Sequence, residues 1–448
     1  MTAAHFNPSD TGNAERFAAQ HRDRARYVDP LRQWFVWDGR HWKPDARGAV
    51  ELLAKETVRS LYTALAIEVD DDTRKRLRTH AAKSESRQGR ENMLALARAE
   101  VAAAPDDFDR DPWLFNVANG TLDLRTGKLQ AHEPRDMLTK VVDIAYDPAA
   151  ACPTFDRFLA RVLGDSPDLI SYVQKAVGYS LSGSVQEQCF FFLHGEGANG
   201  KSTLADVLMR VLGPYGKAAA PDLLMAREHE AHSSEQADLQ GARFVVCQEI
   251  AEGKSWNERT LKHLTGGDII KARLMHKDWI QFRPTHKLWV CANPKPKMRE
   301  GGLATWRRVR LIPFEVVIPS EERDRNLGTK LAAELPGILR WAVDGCLRWQ
   351  TEGLEAPAQV SAATDEYREE SDHVTTFVSD RLELGDDRQV TKTGLYEAYT
   401  LWCKHNQENA MSRNDLQKRL VSKGLSEARS GRDRLMRGAS LRFSSGLE

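Results

Sequence analysis

A glycine-rich segment carries the strongest chemical signal in the chain. Residues 195–202 read GEGANGKS and fit the pattern G-x-x-x-x-G-K-[ST] at every fixed position. The apolar run CFFFLH precedes the segment and the amphipathic stretch TLADVLMRVL follows it, which is the strand-turn-helix setting of a phosphate-binding loop. Glycines let successive N–H groups point at phosphate oxygens, and the helix N-terminus adds partial positive charge. The alternative is a glycine-rich turn that binds nothing.

Each position of this loop has a predicted role with ATP and Mg²⁺. We expect Lys201 to reach the β- and γ-phosphates, Ser202 to hold Mg²⁺, and Thr203 to begin the helix. The predicted nucleotide-binding residues are Gly195, Glu196, Gly197, Ala198, Asn199, Gly200, Lys201, Ser202 and Thr203.

Polar residues follow two further apolar runs. RFVVCQE ends in Gln248 and Glu249, and LWVCAN ends in Asn293. The carboxyl ends of strands in an α/β sheet present groups to ligands, so Glu249 is predicted to orient or deprotonate the attacking water, with an indirect hold on Mg²⁺. Asn293 is predicted to sense the γ-phosphate. Glu252 is a weaker candidate, and an ordinary surface glutamate is the alternative for Glu249.

Cations lie between these two runs. DIIKARL and WIQFR read as two strands joined by MHKD, which places Lys271 and Arg273 on one face and His276 and Lys277 at the tip. Such a hairpin suits a nucleic-acid phosphate backbone, and a solvated charged turn is the alternative.

Two adjacent arginines follow the second run. Arg307 and Arg308 stand in TWRRVRLIPF. Paired arginines are usually solvated or salt-bridged, but a γ-phosphate needs a neutralising cation in its transition state.

The elements that must position these residues alternate along the chain. Helical segments separate four short runs that are apolar on both faces, QCFFFLHG, RFVVCQE, HKLWVCAN and VRLIPFE. Such runs are typical of a mainly parallel sheet covered by helices. The sequence therefore predicts an α/β nucleotide-binding core over 151–345.

The flanking segments predict smaller units. Residues 1–20 are polar and read as a flexible tail, and residues 21–150 read as a helical domain with small β-hairpins. In QWFVWDGRHW the three tryptophans are interpreted as cross-strand packing rather than base stacking. Residues 346–373 read as a linker or exposed helix. Residues 374–448 are basic and read as a helical or winged-helix domain.

Composition excludes several classes of protein. The 448 residues contain 64 Lys+Arg and 64 Asp+Glu, so an anionic partner must meet local basic patches. The six cysteines are far apart and without metal spacing, which favours buried free thiols in a reducing cytoplasm and no zinc. No apolar run has the length to span a bilayer, so we expect a cytoplasmic protein without membrane association.

In order and spacing, GEGANGKST, RFVVCQE, LKHLTGGD, FRP, LWVCAN and WRRVRLIPF resemble the motifs of the superfamily 3 helicases. The resemblance is to the phage, plasmid and poxvirus primase-helicase family, and it implies the cytoplasm of a bacterial host cell. WFVWDGRHW, NVANGTLDLRTGKL and AYDPAAACPTF resemble that family's helical domain upstream, so the similarity covers roughly residues 30–320.

The resemblance implies an AAA+-like ring, usually a hexamer, that moves 3′ to 5′ on single-stranded DNA and opens forked duplexes. It implies that Lys201 and Ser202 bind ATP-Mg, that Glu249 is catalytic, and that Asn293 is the sensor. Arg308, with Arg307 next in line, would act in trans, and Lys271, Arg273, His276 and Lys277 would lie on the pore hairpin. Gln248 departs from members with a second acidic residue there, which leaves the strand-side metal ligand open.

Other readings remain at this point. AIEVDDD at 66–72 offers carboxylates but no partner acid or histidine in a strand context, so we expect a separate primase. The alternatives to a helicase are a P-loop DNA motor or remodelling ATPase that does not unwind, and an origin-binding scaffold under ATP control.

Overall fold

The structure is a computed structural model that describes residues 6–226, 233–273, 278–298, 301–406, 408, 410–430 and 433–442. Hydrophobic clusters divide these residues into an N-terminal region, a central region and a C-terminal region.

The N-terminal region combines helices with a small antiparallel sheet. Its elements are α1 (Asp10–His21), β1 (Ala25–Val28), β2 (Gln33–Trp37), β3 (Trp42–Pro44), α2 (Ala49–Ile67), α3 (Asp71–Glu85) and α4 (Arg87–Glu100). The turn at Asp38 and Gly39 places Trp37 opposite Trp42, and Trp34 packs with its ring centroid 5.1 Å from that of Tyr27. The packing interpretation of the tryptophans is therefore confirmed.

The flexible tail predicted over residues 1–20 is wrong for its described part, because α1 is a capped and packed helix. The Ser9 hydroxyl accepts the Gly12 N–H at 3.1 Å, and the Asn13 amide donates to the Ser84 hydroxyl at 2.8 Å. Phe17 is fully buried in a cluster with α2 and α4. A few apolar residues on one face are enough to dock a helix whose sequence is otherwise polar.

A three-stranded meander follows, and it packs on the central region. Its strands are β4 (Leu114–Val117), β5 (Gly120–Asp123) and β6 (Lys128–Gln130). Phe115 stacks on Tyr215, with ring centroids 4.7 Å apart, and the buried Arg243 donates to the carbonyls of Leu114 and Leu181. The meander therefore lies before the boundary predicted at residue 150 but contributes to the central hydrophobic core.

The central region is a parallel sheet with helices on both faces, as expected for an α/β protein. Its elements are α5 (Pro153–Val162), α6 (Pro167–Leu181), β7 (Phe190–His194), α7 (Lys201–Leu212), β8 (Gly216–Ala219), α8 (Ser233–Ala237), β9 (Phe244–Gln248), α9 (Glu258–Thr265), β10 (Ile270–Arg273), β11 (Trp279–Phe282), β12 (Lys287–Ala292), α10 (Leu303–Trp306), β13 (Val309–Pro313), α11 (Leu327–Ala333) and α12 (Leu335–Glu352). The described strands of the sheet run in the order β13–β7–β12–β9–β8. The four predicted strands are β7, β9, β12 and β13. The fifth strand, β8, was not predicted and lies at one edge of the sheet beside β9.

Residues 346–373, expected to be a linker or an exposed helix, are helical over most of their length and pack on the core with one face, so the helix is confirmed and the linker is wrong. α12 extends through its first residues, and α13 (Ala358–Glu370) lies along β13. Tyr367 is buried, and its hydroxyl accepts the Trp256 indole N–H at 2.7 Å. That contact joins positions 111 residues apart, so local sequence gives no sign of it.

The C-terminal region alternates helices with an antiparallel sheet. Its elements are α14 (His373–Arg381), β14 (Leu382–Thr391), α15 (Lys392–His405), α16 (Arg413–Ser422), β15 (Ser426–Ser430) and β16 (Asp433–Leu441). The strand order is β14–β16–β15, so a purely helical reading of this region is wrong. Leu416 and Leu420 of α16 are buried in its core with Phe377 and Tyr399.

Within the described ranges, no helix combines the length and apolar character needed to cross a membrane.

Candidate functional site

The loop that joins β7 to α7 has the backbone conformation of a phosphate cradle. The φ angles of Gly197, Ala198 and Gly200 are 118°, 48° and 86°, a run of positive values that glycine adopts without strain. A Cβ on Gly195 would lie 2.2 Å from the Phe314 carbonyl oxygen, and one on Gly200 would lie 2.6 Å from Val162 Cγ1. The loop is therefore wedged between neighbouring segments, and glycine fits at both ends for steric reasons.

Lys201 is held inside this loop. Its ammonium is buried and donates to the Gly195 carbonyl at 2.7 Å and to Asn199 Oδ1 at 3.0 Å. Asn199 in turn donates to the Phe314 carbonyl at 3.0 Å. No carboxylate in the described part of the chain forms an ion pair with Lys201, and burial lowers its pKa. An anion at the loop would supply the missing counter-charge.

The strand register places Asn293 beside the loop. Ala292 of β12 pairs with His194 of β7, so the residues that follow both strands meet at one edge of the sheet. A Cβ on Gly197 would lie 3.5 Å from Asn293 Nδ2. Asn293 is exposed, and its side chain is thus available to a ligand on the loop.

Glu249 lies at the same edge, beyond the next strand. Gln248 of β9 pairs with Cys291 of β12, and Glu249 follows as an exposed residue with a φ of 61°. Two strand spacings, about 10 Å, separate β9 from β7. Positive φ in a non-glycine residue often marks a functional constraint. Glu252 is exposed in the turn beyond.

A cavity of about 590 Å³ adjoins the loop and was not expected from the sequence. Ala198, Gly200 and Thr203 line one side. The rest of the lining comes from α5, from α11 and from the segment before α11, and its members are Thr154, Arg157, Phe158, Arg161, Val162, Ile318, Glu322, Arg323, Asp324, Leu327 and Lys330. These residues come from distant segments, so no spacing in the sequence marks them. An apolar floor with a charged rim is typical of small-ligand sites.

Two further side chains near the loop were also missed. His194 ends β7, and Lys295 follows Asn293 by two residues; both line a cavity of about 270 Å³ with Gly195 and Glu196. Burial lowers the pKa of His194, and the charges of Lys295 and Lys201 lower it further. Lys295 also pairs with Glu370 of α13 at 2.7 Å. Glu196, Glu315 and Glu366 line the same cavity, so charges of both signs lie beside the loop.

The structure does not bring the arginine pair to this edge. Val309 pairs with Phe190 at the start of both strands, and Pro313 pairs with His194 at their end. Arg307 and Arg308 therefore lie at the opposite edge of the sheet, about 16 Å away for a five-residue strand. They cannot act on a phosphate bound by the loop of the same chain.

The two arginines differ in exposure. Arg308 is 7% exposed and donates to the Thr265 hydroxyl at 3.1 Å and to the Ala304 carbonyl. Arg307 is exposed, and in the described structure its guanidinium donates one hydrogen bond, at 3.1 Å to Gln188 Oε1. Arg308 holds α9 against α10, whereas the Arg307 side chain is open to another molecule; which of the two acts in trans stays a prediction.

The cationic hairpin forms as expected. β10 pairs with β11 so that Lys271 faces Gln281 and Arg273 faces Trp279, and Lys271 and Arg273 are exposed on one face. Trp279, which the sequence reading passed over, is 56% exposed with the Lys271 ammonium 5.2 Å from its ring centroid. The predicted tip residues His276 and Lys277 lie outside the described residues.

The cysteines have no part in this chemistry. All six are free and buried, and burial raises the pKa of Cys247 and Cys291, on adjacent strands of the sheet, to about 12.

Family models match three stretches of the chain. Residues 14–164 match a family described as D5 N terminal like, and residues 369–426 match one described as poxvirus D5 protein-like. Residues 193–308 match a family of unknown function, DUF5906. That middle stretch contains the glycine-rich loop, both strand-end residues, the hairpin and the arginine pair.

Similar curated proteins come from viruses. "Putative helicase L207/L206" of Acanthamoeba polyphaga mimivirus is 27% identical over 336 residues, which cover 69% of this chain and 35% of that protein. "Putative helicase 022R" of Frog virus 3 (isolate Goorha) is 25% identical over 427 residues, with 76% and 44% covered. The chain thus spans less than half the length of these relatives.

The fold is similar to that of the NrS-1 C-terminal region. The apo structure of its residues 305–718 superposes with a TM-score of 0.50 at 7% identity and covers 93% of this chain and 96% of that one. An A-form apo structure of the same region gives a TM-score of 0.50 at 7% identity, with 92% and 96% covered. At this identity the likeness concerns the fold.

Both flanks of the chain match D5 families, and the viral proteins similar to it are named putative helicases. The comparisons therefore make the chain similar to D5-like helicases.

Proposed function

We propose that the chain is the ATP-hydrolysing motor of a DNA helicase. The observation that carries this proposal is the sheet edge where the glycine-rich loop, Glu249 and Asn293 meet, with Arg307 exposed at the opposite edge. In this arrangement the carboxyl ends of the strands bind the nucleotide, and the amino ends complete the site of the neighbouring subunit. Such subunits fit head to tail in a closed ring. The strand order β13–β7–β12–β9–β8 supports an AAA+-like core.

ATP binds with its phosphates on the loop backbone and its nucleoside in the 590 Å³ cavity. Lys201 leaves its internal acceptors to contact the β- and γ-phosphates, and Asn199, bonded to the Phe314 carbonyl, stays in place. Ser202 is exposed at the start of α7 and would hold Mg²⁺, on which Glu249 would have only an indirect hold. Bound Mg²⁺ neutralises phosphate charge.

Hydrolysis needs a positioned water and a neutralised transition state. The Glu249 carboxylate orients the water and accepts its proton, and the Asn293 amide contacts the γ-phosphate. The guanidinium of Arg307 from the adjacent subunit stabilises the charge that develops. The ring is a hexamer with 3′-to-5′ movement, as is usual in this family.

The hairpin contacts single-stranded DNA in this motor. Lys271 and Arg273 bind phosphates, and the exposed ring of Trp279 offers a surface on which a base can stack. A forked duplex is the substrate, and a separate primase is a partner.

The test is ATP hydrolysis with and without single-stranded DNA, for the chain as given and for Lys201→Ala. A motor hydrolyses ATP faster when DNA is present and loses this activity in the variant. If the wild-type rate of ATP hydrolysis does not change when DNA is added, the result would favour a motor or remodelling ATPase that acts on another substrate. Nucleotide binding without hydrolysis would favour the alternative of an origin-binding scaffold under ATP control.

A further inference from the structure

The segments that follow Glu249 and Asn293 run side by side. The Lys297 N–H donates to the Lys254 carbonyl at 2.9 Å, and the Trp256 N–H donates to the Lys297 carbonyl at 3.0 Å. Lys254 follows Glu249 by five residues, and Lys297 follows Asn293 by four. Only short stretches of backbone therefore connect this contact to the two side chains of the proposed hydrolysis site.

Tyr367 of α13 joins both segments through a single hydroxyl. The hydroxyl accepts the Trp256 indole N–H at 2.7 Å and donates to the Pro296 carbonyl. Tyr367 is 1% exposed, and its ring packs against Phe192 and Trp306 with centroids 5.8 Å and 5.1 Å away. Because a phenol hydroxyl can donate one hydrogen bond and also accept, it satisfies both partners at once. Packing fixes the ring, so the hydroxyl holds the two segments at one separation.

Glu370, almost one turn further along α13, holds the same segment. Its carboxylate pairs with the Lys295 ammonium at 2.7 Å, and that ammonium lies 5.9 Å from the Tyr367 ring centroid. The Glu370 side chain is 50% exposed, and water and salt weaken an ion pair of this kind. The buried Tyr367 hydroxyl is therefore the firmer of the two anchors.

The helix that carries Tyr367 is itself fixed beside the phosphate loop. The Leu311 N–H of β13 donates to the Thr364 hydroxyl of α13 at 3.2 Å. Pro313 of β13 pairs with His194 of β7, and the loop begins at the next residue of β7's chain segment. α13 therefore gives the two anchored segments a fixed reference to the loop.

We propose that Tyr367 is a positioning residue for ATP hydrolysis, which fixes where Glu249 and Asn293 stand relative to the phosphate loop. The inference rests on the proposed function, because it assumes hydrolysis at this site. The Tyr367 hydroxyl, already bonded to Trp256 and Pro296, acts through the backbone of the two segments rather than on the nucleotide. A displacement of about 1 Å in a catalytic group can cost about 10²-fold in rate, so one buried hydroxyl is enough to control turnover.

The test compares Tyr367→Phe with a matched control, Tyr399→Phe. Each variant keeps the ring and removes one buried, hydrogen-bonded hydroxyl; that of Tyr399 bonds to His373 at 2.7 Å and accepts the Met411 N–H at 3.2 Å, in the C-terminal cluster. ATP hydrolysis by the full chain is measured with Mg²⁺ and single-stranded DNA, and active sites are counted by titration with a fluorescent ATP analogue. Tyr367→Phe should lower kcat per site by about 10- to 100-fold and leave nucleotide affinity unchanged, whereas Tyr399→Phe should leave both unchanged.

A second measurement separates positioning from a loss of fold stability. If Tyr367 acts through Asn293, Tyr367→Phe should lower kcat by a smaller factor in the Asn293→Ala background than in the wild type, because residues that act as a unit are not additive. The same factor in both backgrounds, an equal fall in Tyr399→Phe, reduced nucleotide affinity in Tyr367→Phe, or an unchanged kcat would each overturn the inference. A wild-type chain that hydrolyses no ATP would instead refute the proposed function, and the inference with it.

Discussion

The most specific prediction concerns Arg307, because its side chain is exposed whereas that of its neighbour Arg308 is buried. Both arginines lie about 16 Å from the loop of their own chain, the length of a five-residue strand. Arg307→Ala removes an exposed guanidinium with one side-chain bond, to Gln188. We therefore expect the variant to fold, assemble and bind ATP, and to lose roughly 10³- to 10⁵-fold in turnover, as trans-acting arginines do elsewhere.

Arg308→Ala should also lose activity, but because the fold is destabilised. It removes buried charge-assisted bonds to Thr265 and Ala304, and each such bond contributes about 1.5–3 kcal/mol. We expect a loss of about 3 kcal/mol of unfolding free energy, measured by urea denaturation, with activity falling along with the folded fraction. Arg307→Ala should change unfolding by less than about 0.5 kcal/mol, as exposed positions do.

The assay mixes Arg307→Ala with Lys201→Ala, two variants that are each almost inactive. In an evenly mixed ring, about one interface in four joins an intact loop from the first variant to an intact arginine from the second. ATPase should recover to about a quarter of the wild-type rate if interfaces act independently. Mixed rings that show no recovery, while Arg308→Ala mixtures do recover, would refute the assignment of Arg307.

Three further predictions concern the same machinery. Glu249→Gln should keep ATP affinity and stop hydrolysis, measured by fluorescent-nucleotide binding beside phosphate release; lost affinity would instead make Glu249 a primary metal ligand. Gly200→Ala should destabilise the fold by about 1–2 kcal/mol through its positive φ alone, and further because the new Cβ would clash with Val162. The control Gly328→Ala, with open space around it, should not destabilise the fold. Equal melting temperatures for the two variants would contradict the packing of the loop. Lys271→Ala with Arg273→Ala should flatten the salt dependence of single-strand binding by about 0.7 per lost contact. The control Lys128→Ala, on an exposed edge strand, should not change this slope. Equal slopes for both variants would favour the alternative that the hairpin is a solvated charged turn.

The loop and the strand-end residues were predictable because their signals are local. Gly195 to Ser202 fill consecutive positions, and Glu249 and Asn293 each follow an uninterrupted apolar run. Parallel strands put such ends at one edge whatever their order. The strand β8, with the sequence GKAA, lacks an apolar run because it lies at the sheet edge, and the pattern missed it.

The remaining features depend on contacts between distant residues. Which of two adjacent arginines is buried is decided by Thr265, 43 residues away. α13 is fixed by Tyr367 against Trp256. The cavity of about 590 Å³ is lined by residues of α5, which precedes the sheet strands in the sequence, and by residues between 318 and 330, which follow them. The strands β14 and β15 are mostly exposed and polar, so their alternation of burial is weak in the sequence.

Strand separation on a forked DNA duplex tests the central claim most directly. The wild-type chain should release the labelled strand with ATP and Mg²⁺, and should bind the fork without releasing it when a non-hydrolysable analogue replaces ATP. Lys201→Ala should release no strand under either condition. Release with the analogue at the rate seen with ATP, or unimpaired release by Lys201→Ala, would contradict a motor driven from this site.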